Sequence, residues 1–165
     1  ICNELARLDY APQELPTLVL ETGRALVDDA GSLISSVVAT KRLPDGRRAL
    51  VVDAGVNLLF TAFWYKHEVV PAQDVPGTPE PTVLYGPLCM NIDVLRDTTQ
   101  FPPLSVGERV VFKNVGAYNV TQWMQFITLR PAVVMISTEG KVSTIRRAEN
   151  VEDLRSFEEV PEWLR

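Results

Sequence analysis

The sequence predicts a mainly β protein, in which one α/β step leads into an all-β domain closed as a sandwich or barrel. Three observations carry this. Short β-branched and apolar runs recur along most of the chain, turn-forming residues punctuate them, and only the N-terminal part combines helical spacing with a continuous apolar run. The 165 residues are 46% hydrophobic and 22% charged, enough for a packed core and too apolar for a disordered tail. With 16 basic and 21 acidic residues the net charge is -5, which argues against a nucleic-acid partner. No apolar run reaches the ~20 residues of a membrane-crossing helix, so no membrane partner is expected and the protein reads as soluble. Cys2 and Cys89 are too few for a disulfide framework, which points to a reducing, cytoplasmic setting. Ile1 is not an ordinary initiator, and the chain is expected to be part of a longer protein.

Taken in order, residues 3–9 place Leu5 and Leu8 three apart behind the possible cap Asn3, as at the end of an amphipathic helix. Pro12 and Pro16 stop it. Residues 17–20, Thr-Leu-Val-Leu, form an apolar run expected of a strand buried on both faces of a parallel sheet. Residues 32–41 and 48–53 then read as a β-hairpin around Pro44, Asp45 and Gly46. Further strands are predicted at 67–70, 82–86, 109–113, 132–137 and 141–146, the last two joined at Glu139-Gly140. The Pro-rich stretch 71–81 reads as a surface loop, and 150–155 as a short terminal helix capped by Asn150.

Several loops offer chemistry. Glu21-Thr22-Gly23-Arg24 follows the predicted buried strand, where Gly23 permits close approach to an anion and Arg24 offers a bidentate fork. A strand-end turn with a surface Glu/Arg pair is the plainer reading. Gly86-Pro-Leu-Cys-Met-Asn-Ile-Asp93 puts Cys89 in a loop after a strand, although a lone cysteine is commonly a small buried hydrophobe. Gly116-Ala-Tyr118 sets a phenol beside a sharp turn. His67 is the one histidine, read as packed and hydrogen-bonded, so a Cys-His hydrolase and a zinc shell both fail and no metal site is expected. Phe60, Phe63, Trp64 and Tyr65 are expected mostly in the core, with the lining of a pocket as the lesser alternative.

The order of these motifs is recognisable. Glu21 to Arg24, Val52-Asp-Ala-Gly-Val-Asn57, Gly86-Pro-Leu-Cys89 with Asp93, Pro102-Pro-Leu with Gly107, and Gly116-Ala-Tyr118 together resemble the C-terminal part of the pyridoxal-phosphate decarboxylases of the diaminopimelate/ornithine decarboxylase family, with an alanine-racemase-like fold. The resemblance implies that residues 1–27 end a cofactor-binding (β/α)8 barrel and residues 28–165 form the C-terminal β-domain. It implies a homodimer, an amino-acid-derived substrate, and pyridoxal 5'-phosphate bound jointly with the barrel half of the same protein. The family's cofactor lysine lies far upstream, and none of Lys41, Lys66, Lys113 or Lys141 stands in a matching context, so the chain alone is expected to be inactive. By resemblance, Glu21, Thr22, Gly23, Arg24 and Tyr118 contact the cofactor, and Arg24, Tyr65, Met90 and Tyr118 meet substrate. Cys89 is the implied proton donor in the neighbouring subunit's site, a role open to thiols, which in general are protonated at neutral pH. Asp93 is the implied structural partner of the Cys89 loop.

Departures from the pattern bear on the substrate. Diaminopimelate decarboxylases usually carry an acidic residue where this chain has Met90 and an arginine where it has Thr61, so a different, larger or conjugated amino-acid-derived substrate is expected. Thr22 stands in place of a usual proline. A catalytically inactive relative acting as a binding module and a racemase on the same fold are the alternatives.

Overall fold

The computed structural model of the chain describes residues 2–8 and 10–165. Ile1, Asp9 at the end of the expected first helix, and the Cys2 side chain lie outside the described residues. Six strands, β1 (Ser32–Arg42), β2 (Arg48–Val52), β3 (Val69–Pro71), β4 (Glu80–Tyr85), β5 (Val94–Phe101) and β6 (Arg109–Lys113), form one barrel-like sheet in the order β3-β6-β1-β2-β4-β5. A separate two-stranded sheet follows, made of β7 (Val133–Ile136) and β8 (Val142–Arg146). The mainly β expectation holds.

Strand β1 makes the sheet curl. Its first half, Ser32 to Ser36, pairs antiparallel with β6, its second half, Val37 to Arg42, pairs antiparallel with β2, and the register shifts between Val37 and Ala39. An extra residue at that point bends a strand and increases its twist. The sheet thereby wraps a core of Leu50, Val52, Leu84, Leu95, Phe101 and Phe112, all essentially sealed from solvent. β2 and β4 run parallel, so the chain between them must cross over, and residues 53–79 do so. That crossover carries several residues of the site.

Local chemistry explains the turns. Gly46 adopts φ +88° in the β1–β2 turn, where Asp45 Oδ1 accepts the Arg47 amide at 3.0 Å. Gly140 does the same between β7 and β8 with φ +79°. Helix α3 (Val151–Arg155) has the expected Asn150 cap, whose Oδ1 accepts the Asp153 amide at 3.2 Å while the Asp153 Oδ2 accepts the Asn150 amide at 2.8 Å. Beside it the Arg147 guanidinium holds the Asp153 carboxyl down to about 2.

Four points of the reading need correction. Residues 17–20 form no strand: Leu18, Val19 and Leu20 are 47%, 74% and 63% exposed, because a strand buried on both faces needs flanking strands and no described residue pairs with them. Strand β5 carries Arg96, Asp97, Thr98, Thr99 and Gln100, whose polar run at a sheet edge hides the strand from a hydrophobicity reading. β4 begins at Glu80 and includes Pro81, inside the expected loop. The missing Pro81 N–H costs nothing towards β2, since that pairing starts only at Thr82. The first helix, α1, is Cys2–Ala6, shorter than expected.

Candidate functional site

The Cys89 loop is organised by a single buried carboxylate. Asp93 is 3% exposed; its Oδ2 accepts the Leu88 amide at 2.7 Å and its Oδ1 accepts the Val56 amide at 2.8 Å. Burial pushes its carboxyl above the usual carboxylate range, and the Leu88 and Val56 amides pull it back. Gly86 has no room for a side chain, because a Cβ there would overlap both Asp93 oxygens. Gly55 is confined in the same way, with Asp93 Oδ1 2.8 Å from its would-be Cβ. Asp93 therefore ties the 86–93 loop to the Val52–Asn57 motif, as the sequence reading expects of it. Cys89 stands exposed on this loop, while Met90 is half-buried and packs against the core.

A second cluster forms where helix α2 (Arg24–Val27) meets the loop after β6. The Arg24 guanidinium carbon lies 4.2 Å from the Tyr65 ring centre and 5.3 Å from the Tyr118 ring centre, and Arg24 Nη1 donates to Asp28 Oδ1 at 2.9 Å. Cation–π contact with both rings fixes the guanidinium in place. The Tyr118 hydroxyl lies 3.3 Å from the point a Gly23 Cβ would occupy. The two segments are stitched by the Gly116 amide donating to Asp28 O at 3.0 Å and the Val115 amide to Gly31 O at 3.0 Å. Only glycine fits at 116, since a Cβ there would overlap the Val27 carbonyl. Glu21 and Thr22 are exposed beside this cradle and make no side-chain hydrogen bond among the described residues; Arg24 pairs with Asp28 rather than Glu21.

Beneath the cradle lies a polar network that sequence reasoning missed. Thr61, on a 3-10 turn at Phe60–Phe63, is 0% exposed, and its Oγ1 donates to Asn119 Oδ1 at 2.8 Å. His67, also 0% exposed, sets Nε2 2.6 Å from Thr61 Oγ1 and Nδ1 3.2 Å from the Lys113 carbonyl, and its ring meets Tyr65 edge-on at 4.8 Å. Burial holds the imidazole pKa below its ordinary value, against the pull of the Lys113 carbonyl. His67 is thus packed and hydrogen-bonded, as expected. The core expectation is corrected in favour of the lesser one: Phe63 and Trp64 are 61% and 56% exposed, and with Tyr65, Asn91, Ile92 and Arg96 they line a cleft of about 350 Å³ between the Tyr65 segment and the Cys89 loop.

Comparison with known proteins places this geometry. Residues 25–116 match the pyridoxal-dependent decarboxylase C-terminal sheet domain family. The chain belongs to that family. The diaminopimelate decarboxylase of Helicobacter pylori is 32% identical over 163 residues, covering 96% of this chain and 38% of the relative. The crystal structure of diaminopimelate decarboxylase from M. jannaschii superposes with a TM-score of 0.83 at 30% identity, over 99% of this chain and 37% of that one. The same enzyme in co-complex with L-lysine gives a TM-score of 0.80 at 31% identity, over 92% of this chain and 35% of that one. The chain thus spans little more than a third of the length of these relatives.

For a decarboxylase sheet domain the cradle has suitable chemistry. The Tyr118 hydroxyl and the Arg24 guanidinium both lie beside Gly23, so an uncharged donor and a cation stand close together there. That donor set suits a phosphate. Of the expected residues the structure brings together Gly23, Arg24, Tyr65 and Tyr118. No hydrogen bond, ion pair or aromatic contact among the described residues joins Cys89 or Met90 to them. Thr61, expected to face substrate space in place of an arginine, instead spends its hydroxyl on Asn119. The described residues contain no group of three or more His, Cys, Asp or Glu set to hold a metal, and no helix among them is long and apolar enough to cross a membrane.

Proposed function

We propose that this chain is the C-terminal portion of a pyridoxal-phosphate-dependent amino-acid decarboxylase, with residues 1–27 ending the cofactor barrel and residues 28–165 forming the sheet domain. The observation that carries it is the Arg24 guanidinium held between Tyr65 and Tyr118, with the Tyr118 hydroxyl turned to Gly23. In this reading the Gly23 N–H and the Tyr118 hydroxyl hold the cofactor phosphate, Glu21 and Thr22 flank it, and Arg24 orients the substrate carboxylate. The bound cofactor would supply the electron sink when carbon dioxide leaves. The lysine that anchors it belongs to the barrel half, so the chain alone is inactive.

The Cys89 thiol is exposed on a loop held by Asp93 and makes no hydrogen bond to its own chain's cradle among the described residues, which suits a proton donor acting at Sγ in the site of a second copy. A cytoplasmic homodimer follows from this reading. Met90 and Thr61 supply no charge for a zwitterionic distal end, which favours an atypical amino-acid-derived substrate over diaminopimelate. The test is release of carbon dioxide from a panel of amino acids by the full-length protein. Cys89→Ala should lower turnover by about 10²-fold or more, the span usual for a general acid, and an unchanged rate and product stereochemistry would remove Cys89 from the mechanism.

A further inference from the structure

The loop that presents Tyr118 is strained, and the residue next to it is over-determined. Tyr118 adopts φ +67°, a left-handed conformation that costs a non-glycine residue free energy and persists only where neighbours enforce it. Asn119, 2% exposed, supplies that enforcement. Its Nδ2 donates to the Val115 and Ala117 carbonyls at 3.1 and 3.2 Å, which fixes the amide orientation, so its Oδ1 is the acceptor facing Thr61. Thr61 meets that oxygen twice, through its hydroxyl at 2.8 Å and its backbone amide at 3.3 Å. The same Thr61 oxygen also lies 2.6 Å from His67 Nε2. The threonine is therefore held from its other side too, and the clamp reaches from the crossover to the cradle.

We propose that Asn119, clamped by Thr61, is the positioning residue that keeps Tyr118 left-handed and so aims its hydroxyl at Gly23. It touches neither cofactor nor substrate. The inference rests on the decarboxylase reading only for what the hydroxyl is aimed at, the cofactor phosphate.

The experiment uses the full-length protein with 3-fluorotyrosine placed at position 118. The parent should give one narrow fluorine resonance without cofactor. Thr61→Val, which keeps the shape and removes the hydroxyl, should broaden or split it, and Thr61→Ser should restore it. Asn119→Ser, which drops the donors to Val115 and Ala117, gives the same reading should Thr61→Val lose its fold by circular dichroism. A parent-like resonance in a folded Thr61→Val or Asn119→Ser protein overturns the proposal. Titration with pyridoxal phosphate should show binding weakened about tenfold by Thr61→Val, the loss expected for one hydrogen bond's worth of positioning. Tyr118→Phe should weaken it comparably, and the double variant no further, because both act through one hydroxyl. Losses that add in the double variant also overturn the proposal. A disturbed resonance with unaltered cofactor affinity upholds the positioning and instead removes Tyr118 from the phosphate site.

Discussion

The six-stranded sheet and the β7–β8 hairpin are built from similar apolar, β-branched sequence but end in opposite states. Leu50 of β2 and Leu84 of β4 are 0% exposed, whereas Met135 and Ile136 of β7 are 57% and 67% exposed. β2 and β4 are paired on both sides, whereas β7 and β8 have a partner on one side only, and the two regions also differ in what covers their faces. The large sheet curls at β1 and encloses its own apolar face. The hairpin has only two strands, touching the body where Val133 packs near Trp123 and the Arg146 guanidinium lies 5.8 Å from the Trp123 ring centre. A two-stranded ribbon without a second layer is marginal in water. Alternation in a sequence thus predicts that a strand forms, and says little about what covers it.

This contrast can be broken or sharpened by substitution. Phe112→Ala removes a fully buried ring from the curled sheet, and a urea titration should show a loss of about 3–5 kcal/mol. Gly86→Ala would force Asp93 off the Leu88 and Val56 amides, and the same titration should show about 2–3 kcal/mol lost, with proteolysis entering first at the Cys89 loop. Hydrogen exchange should find the β2 and β4 amides protected far longer than those of β7 and β8. Ile136→Ala should change stability by no more than about 0.5 kcal/mol, and a loss as large as that of Phe112→Ala would show the hairpin to be a cooperative part of the core. The smallest expected effect is on pH. His67 has its folded pKa below the unfolded value of about 6.5, so its contribution is complete above that value and is lost as pH falls through the folded pKa. The thermal midpoint should decline on acidifying through this window, and His67→Gln should flatten that part of the curve.

Where local chemistry decides the structure, the sequence was sufficient. Pro44, Asp45 and Gly46 marked the β1–β2 turn, Asn150 marked the start of α3, and the 109–113 strand was read at its observed limits. Gly23, Arg24, Tyr65 and Tyr118 were also singled out, and they meet. What failed depends on distant partners. Residues 17–20 look like a strand but find no neighbour to pair with, and β5 looks polar because its edge position lets Asp97, Thr98 and Gln100 face water. The Thr61–Asn119 clamp joins residues far apart in sequence; Thr61 reads only as the replacement of an arginine, and Asn119 as an ordinary polar residue. The one available signal was Asn119 itself, an amide placed directly after the Gly116-Ala-Tyr118 turn.

The parallel pairing of β2 with β4 has a consequence for how the cradle comes into being. Antiparallel neighbours can zip up from a tight turn, as β1 and β2 do, but a parallel neighbour waits until the whole intervening segment has been laid down. Thr61 and His67 lie on that segment and their partners Asn119 and Lys113 lie further along the chain, while Tyr65, on the same segment, meets Arg24 from before β1. The cradle is accordingly among the last features to assemble, after its most separated pieces have met. Ligand capture at Tyr118 would therefore report that chain segments far apart in sequence have met.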